Sequence, residues 1–208
     1  MPASLLIGTN GKVWCMKHVC AFLICGLAVC LMGGCRRPAT GSTGNVKVTV
    51  EGQQRFPASL SGRWKADRHG WELVLETNGR IASAVIPFGR VQVVPGRTTT
   101  TTTRSGDQAI FTPGPWAVHY DPTTRELTVK IVMKHVRVPM AENVVEGSST
   151  DILAGLISPE ENTWQAQWTT YTRYTATTGE GKPVDLSTDS TYGETQPLTF
   201  TRVVNQAP

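Results

Sequence analysis

Residues 71–86 read WELVLETNGRIASAVI, and the predicted fold is built outward from this segment. Before the turn, Trp71 and Leu73 fall on one face of an extended chain and the intervening residues on the other, the period-2 pattern of a half-buried strand. Asn78-Gly79 supplies two residues that tolerate positive φ, the strongest short-range signal for a β-hairpin. We therefore expect two antiparallel strands here, with Arg80–Ile86 as the returning strand.

Similar alternation recurs along the rest of the chain, and turn residues such as Asp121-Pro122 and Pro159-Glu160 separate the segments. No convincing helical period of apolar residues occurs after residue 35. The pattern predicts an all-β domain, an antiparallel up-and-down meander that forms a barrel of about eight to ten strands, with a β-sandwich as the alternative. The other segments with strand-like alternation are Asn45–Gln53, Leu60–Ala66, Trp116–Tyr120, Arg125–Val138, Asp151–Ser158, Thr163–Tyr174 and Leu198–Val204.

Four segments carry more specific expectations. The apolar parity of Arg125–Val138 changes near Lys134–His135, which predicts a β-bulge there. Thr98–Thr103 has high β-propensity but no apolar face, so we expect a loop or a loosely held strand end. Met140–Glu146 can form one short helical turn. Thr175–Pro197 is polar and too long for an ordinary connection, which indicates a lid or a disordered excursion.

The segment from Met16 to Cys35 reads MKHVCAFLICGLAVCLMGGC and has the layout of a secretory signal peptide. Its apolar run, Val19–Met32, is too short to cross a bilayer core about 30 Å thick. The last four residues, Met32-Gly33-Gly34-Cys35, resemble the lipobox of bacterial lipoproteins. That resemblance implies that the Cys35 thiol is alkylated with diacylglycerol and that Cys35 becomes the new N-terminus.

This interpretation divides the chain into four parts. Residues 1–15 precede a complete signal peptide, so we expect translation to start at Met16. Residues 16–34 form the signal peptide, residues 35–45 the lipidated cysteine with a flexible tether, and residues 46–208 a single all-β domain. Arg36 stands where Asp would signal inner-membrane retention in Gram-negative sorting. The resemblance therefore implies a lipid-anchored protein of the cell envelope, on the outer membrane and facing the periplasm.

Composition excludes several function classes. All five cysteines lie at or before residue 35, so the mature body has no disulfide. Because Lys12 and Lys17 also precede Cys35, the body keeps half of the whole-chain net charge of +4. It has no basic patch interleaved with aromatic residues, so we expect no nucleic-acid partner.

The sequence also lacks signs of catalysis or metal binding. The mature histidines, His69, His119 and His135, are scattered, whereas a zinc site needs three or four convergent ligands. No nucleophile elbow, catalytic cysteine or phosphate-binding loop is present. We expect a protein that is not an enzyme and that has no catalytic residues, no cofactor and no metal.

A second resemblance concerns the barrel. Gly62-Arg63-Trp64 opens an early strand and Arg202 lies in the last one, a pairing that resembles the lipocalin and avidin group, the calycins. In that group a basic residue of the final strand packs across the tryptophan at the closed end of the barrel. The resemblance implies that Gly62, Trp64 and Arg202 close the barrel, with the guanidinium stacked on the indole. Residues 116–121 with the strand at 127–129 resemble lectin-type sandwiches, which keeps the sandwich alternative open.

Three hypotheses about function follow. A lipocalin-like barrel binds a small apolar ligand, and four tryptophans are the candidate contacts: Trp71, Trp116, Trp164 and Trp168. Alternatively, the same aromatic residues form the platform of a carbohydrate- or envelope-binding module. The third hypothesis is a structural, partner-binding lipoprotein, recognised by a large exposed apolar patch. In all three the membrane is a partner through lipidated Cys35.

Overall fold

The computed structural model describes residues 46–140, 142–184 and 193–203 of the 208-residue chain. All of them belong to one compact unit. The predicted start at Met16, the signal peptide and the lipidated Cys35 with its tether lie outside the described residues.

The described residues form thirteen β-strands in one sheet, and their helical pieces are three short 3₁₀ turns, Glu51–Gln53, Ala58–Leu60 and Phe88–Arg90. The all-β prediction is confirmed. The strands are β1 (Val46–Val50), β2 (Gly62–Ala66), β3 (Glu72–Leu75), β4 (Ile81–Ile86), β5 (Val91–Val93), β6 (Thr99–Thr102), β7 (Gln108–Pro113), β8 (Trp116–Asp121), β9 (Glu126–Met140), β10 (Asn143–Ile157), β11 (Thr163–Thr178), β12 (Pro183–Val184) and β13 (Glu194–Val203).

The strand order is β1-β8-β9-β10-β11-β13-β2-β3-β4-β5, with β7 beside β9, β6 beside β7 and β12 beside β11. Two features differ from the predicted antiparallel barrel. β1 pairs with β8 in parallel, so the sheet is mixed. The sheet is also open, because between β5 and β6 the described residues form one isolated bridge, Val94 to Arg97.

One face of this sheet makes a single hydrophobic core. In β8 the side chains of Trp116, Val118 and Tyr120 are buried, while the residues between them are partly exposed. The same alternation in the other strands joins one cluster that includes Trp64 and Phe200. The described residues offer no second layer to cover this face, so the sheet must curl around its own inner side.

The predicted β-bulge lies at Lys134–His135 and is confirmed. Gly147 of β10 pairs with Val136 of β9, but Ser149 pairs with Met133, so two residues of β9 stand opposite Ser148. Both bulge residues are exposed, whereas Met133 and Val136 on either side are buried. Because of the extra residue, Val136 faces the core as Met133 does, although one has an even and the other an odd position in the sequence.

The predicted hairpin at Asn78-Gly79 joins β3 to β4, although its turn differs from the expected one. Among the turn residues only Gly79 has a positive φ, +81°, and its N–H donates to the Glu76 carbonyl at 2.9 Å. Asn78 accepts a hydrogen bond from the Arg80 N–H through Oδ1 at 2.9 Å instead of adopting positive φ. A Cβ at Gly79 would lie 2.6 Å from the Phe56 ring, so glycine is needed here for space as well as for conformation.

The threonine run is more ordered than predicted. Thr99–Thr102 forms β6, which pairs with β7 in the register Thr99↔Phe111 to Thr102↔Gln108. Of the two predicted alternatives the loop is wrong and the strand is observed, because an edge strand needs backbone pairing and β-propensity more than an apolar face.

A predicted helical turn is wrong, and the bounds of the predicted excursion were too wide. Instead of a helical turn in Met140–Glu146, β9 runs through Met140 and β10 begins at Asn143, with Val145 paired to Val138. β-Branched valines favour this extended backbone. The predicted excursion Thr175–Pro197 is shortened at both ends, since β11 continues to Thr178 and β13 begins at Glu194. Its residues 185–192 lie outside the described part of the chain.

β2 and β13 pair antiparallel, and Arg202 stands opposite Trp64 in the register. Trp64 is buried, and its Nε1–H donates to the Leu60 carbonyl at 2.9 Å. The Arg202 guanidinium donates to the Ser59 carbonyl. Both side chains therefore hold the 3₁₀ turn Ala58–Leu60, which the sequence did not predict. Stacking of Arg202 on Trp64, and barrel closure by Gly62, Trp64 and Arg202, stay predictions.

Candidate functional site

Two of the four candidate tryptophans lie together. Trp71, just before β3, is fully buried, and Trp168 on β11 is half-buried. Their ring centroids are 5.9 Å apart with the planes at 79°, an edge-to-face contact. This arrangement is the favoured one for aromatic pairs.

An acidic residue, Asp151 on β10, lies next to this tryptophan pair. Its carboxylate is buried, with 6% of the residue exposed. Trp168 donates from Nε1 to Oδ1 at 2.9 Å, and the Ser149 hydroxyl donates to Oδ2 at 3.4 Å. Asp151 pairs with Thr170 across the β10–β11 ladder, so Trp168 reaches it diagonally from the same inner face.

Burial raises the pKa of Asp151 above its ordinary value, and the hydrogen bonds from Trp168, Thr170 and Ser149 oppose this increase. No lysine, arginine or histidine of the described ranges forms an ion pair with this carboxylate. Asp151 is therefore a buried acid whose negative charge has hydrogen-bond donors but no counter-ion, an expensive arrangement in a low-dielectric site.

Tyr174 extends the region along β11. Burial raises the pKa of its hydroxyl, with the nearby Asp151 charge acting in the same direction and a hydrogen bond with Ser149 acting against it. The ring stacks on Phe88 at a centroid distance of 5.7 Å. Aromatic rings thus lie on both sides of the Ser149 and Asp151 pair.

His69 lies on the solvent-exposed side of this group of residues. It lies in the turn between β2 and β3 with φ +59°, an uncommon backbone conformation for a residue other than glycine. The imidazole is exposed, and its ring centroid lies 5.3 Å from that of Trp168. We call the whole group the Asp151 cluster and define it by six residues: His69, Trp71, Ser149, Asp151, Trp168 and Tyr174.

The cluster also contains an unused hydrogen-bond donor. Within the described part of the chain, the buried Nε1–H of Trp71 has no hydrogen-bond partner. A buried N–H without an acceptor costs about 1–3 kcal/mol, so a ligand acceptor at this atom would be stabilising.

The other two candidate tryptophans belong to the core. Trp116 is 1% exposed and donates from Nε1 to the Val132 carbonyl at 3.0 Å. Trp164 is fully buried and stacks on Phe200 at a centroid distance of 4.7 Å. Neither ring is presented to solvent, and neither belongs to the Asp151 cluster.

Sequence reasoning found Trp71 and Trp168 but missed Ser149, Asp151, Tyr174 and the position of His69. A signal for the acid was present, because Ser149, Asp151 and Leu153 alternate in phase and Leu153 is apolar. An acid in phase with a core leucine is predicted to face inward. The contact of His69 with Trp168 had no such signal, since it joins segments that are distant in sequence.

Two further properties concern only the described ranges. They contain no cluster of three or more His, Cys, Asp or Glu residues arranged to hold a metal ion. They also contain no helix with the length and apolar character of a membrane span.

The comparisons with known proteins give no relative. No protein-family model matches the chain. Likewise, no curated protein and no solved structure matches it.

Proposed function

We propose that this β-domain binds a small, mostly apolar ligand at the Asp151 cluster and is held at the cell envelope by a lipid on Cys35. The observation that carries the ligand proposal is the meeting of Trp71 and Trp168 with a buried acid, Trp168 donating to Asp151 at 2.9 Å. Aromatic walls with a few convergent polar groups are the usual composition of a small-molecule site.

Partial exposure of the cluster supports a site rather than a sealed core. His69 is exposed, and Trp168 and Tyr174 are half-buried, while Trp71 and Asp151 behind them are buried. A ligand arriving at this edge would contact aromatic surface first and polar groups deeper in. A purely structural core would gain more from an apolar residue than from an uncompensated carboxylate at position 151.

The carbohydrate alternative is less well supported. Its platform is the same four tryptophans, and Trp71, Trp116 and Trp164 are buried at 0%, 1% and 0% exposure. Stacking of a sugar needs an accessible ring face, which leaves only Trp168 of the four.

The ligand proposal can be tested by observing each indole N–H separately. In ¹H–¹⁵N spectra of the uniformly labelled mature domain, a fragment set that includes 2-phenylethanol should shift the indole signals of Trp71 and Trp168. The buried indoles of Trp116 and Trp164 act as internal controls and should stay in place. Shifts confined to Trp116 or Trp164, or no shift with any fragment, would refute the proposed site.

The anchor proposal rests on the lipobox-like sequence Met32–Cys35. Metabolic labelling with an alkyne fatty acid should mark the wild-type protein and not the Cys35→Ser variant. Cys30→Ser is the matched control, because it removes a thiol of the same segment and should leave the label unchanged. Label retained in Cys35→Ser would exclude this cysteine as the anchor.

A further inference from the structure

We propose that the Asp151 cluster selects an organic cation, an amine or ammonium group carried on an apolar body. This inference rests on the proposed function and names the chemical class of its ligand. It concerns the charge of the ligand, so it can fail while the site itself stands.

The first argument for a cationic ligand is that the buried Asp151 carboxylate has no counter-ion among the described residues. Asp151 is 6% exposed, and no ion pair to it exists among residues 46–140, 142–184 and 193–203. A cationic ligand group would supply the charge that the protein does not. An anionic ligand would meet repulsion at the same point.

The second step is the aromatic surroundings. Trp71 and Trp168 meet edge to face, and the His69 ring lies tilted against Trp168. Tyr174 adds a further ring with its hydroxyl near Ser149. Aromatic faces attract organic cations, tryptophan most strongly, and the attraction grows where water is excluded.

The third step is that the carboxylate is oriented but not saturated. Trp168 donates to Oδ1 at 2.9 Å and Ser149 to Oδ2 at 3.4 Å. Each carboxylate oxygen accepts about two hydrogen bonds. Thr170 is a third donor to this carboxylate, which leaves room for about one more hydrogen bond. An ammonium N–H can therefore be added without displacing Trp168, and the three existing donors hold the acceptor in place for the ligand.

The fourth step separates an organic cation from a metal ion. A hard divalent cation needs about six oxygen ligands, whereas the described residues contain no group of three or more His, Cys, Asp or Glu residues that could hold a metal ion, at Asp151 or elsewhere. Aromatic rings favour a weakly hydrated cation with carbon around it instead.

The test compares two probes of nearly equal shape, 2-phenylethylammonium and 2-phenylethanol, by titration of the Trp71 and Trp168 indole signals. Wild-type protein should bind the ammonium at least about tenfold more tightly than the alcohol. Asp151→Asn should bring the two dissociation constants within about threefold, because Asn removes the charge and keeps an oxygen that accepts from Trp168. Glu160→Gln is the control, since it removes an exposed turn carboxylate and should preserve the tenfold preference.

The outcomes separate the two proposals. Equal affinity of wild-type protein for both probes, or a preference that survives in Asp151→Asn, overturns cation selection and leaves the ligand site standing. No shift with either probe or with the fragment set overturns both. If Asp151→Asn does not fold, the wild-type preference for the ammonium over the alcohol decides the question alone.

Discussion

Asp151 is an acid whose ionisation the folded structure opposes. Burial raises its pKa above 3.8, so the folded chain keeps this proton over a pH range in which the unfolded chain has released it. The free energy of unfolding should therefore fall as pH rises from about 3.8 through the raised pKa, and then level off. The penalty is complete above the folded pKa and absent below the unfolded one.

Urea unfolding of wild type and Asp151→Asn between about pH 4 and 8 checks this expectation. The amide cannot ionise, so the variant should lose less stability than wild type as pH rises. Parallel pH profiles for the two proteins would show that Asp151 titrates alike in the folded and unfolded chain.

Gly79 offers a second prediction at the scale of one residue. Gly79→Ala places a methyl group 2.6 Å from the Phe56 ring in a backbone with φ +81°. Gly181 has the same φ, +81°, with nothing within 4 Å, so Gly181→Ala adds only the conformational strain. We expect Gly79→Ala to cost about 1–3 kcal/mol more than Gly181→Ala in chemical denaturation. Equal costs would mean that Phe56 moves aside freely.

Among the elements, the β9 bulge sets which residues of its second half face the core. Inserting one alanine between His135 and Val136 would shift the second half of β9 by one residue and turn Val136, which is 1% exposed, toward the outer face. We expect a loss of about 1.5–3 kcal/mol from that side chain alone, measured by thermal or urea unfolding. His135→Ala, which keeps the bulge, should be within about 0.5 kcal/mol of wild type. A harmless insertion would show that the register is not fixed by this bulge.

The 3₁₀ turn Ala58–Leu60 depends on a hydrogen bond that a phenylalanine cannot make. Trp64→Phe removes the 2.9 Å bond to the Leu60 carbonyl. Trp164→Phe removes a similar buried ring portion, but its Nε1–H has no partner among the described residues. The first variant should be less stable than the second by about 1–3 kcal/mol in urea unfolding. The reverse order would assign the main role to packing.

These elements also show how far sequence reasoning reaches. The hairpin at Asn78-Gly79 and the bulge at Lys134–His135 were predictable because both depend on residues close in the chain. The parallel pairing of β1 with β8 was not, because alternation is the same in parallel and antiparallel edge strands. In the candidate site, Trp71 and Trp168 were predictable as large aromatics, whereas the meeting of His69, Trp168 and Asp151 depends on strands brought together by the whole sheet.

For the whole molecule, the open sheet predicts an uneven distribution of local stability. β9 and β10 pair along most of their length and have a second neighbour on each side. β5 has three residues, and the isolated bridge Val94 to Arg97 separates it from β6. Backbone amides of β5 and β6 should exchange with deuterium fastest and those of central β10 slowest. Equal protection of both regions in hydrogen-exchange spectra would indicate a closed sheet in solution.

The pairing of the parallel strand β1 with β8 affects how long the edge of β8 is open to self-association during folding. Val46 pairs with Trp116, far along the chain, whereas β9, β10 and β11 are joined by short turns. Local pairings form sooner than distant ones, so β8 should spend part of folding with an open edge of unpaired N–H and C=O groups. Such an edge recruits other chains. β1 covers the β8 edge late and is then itself the outer strand on this side, so the β8 edge is open to other chains during the interval before β1 pairs.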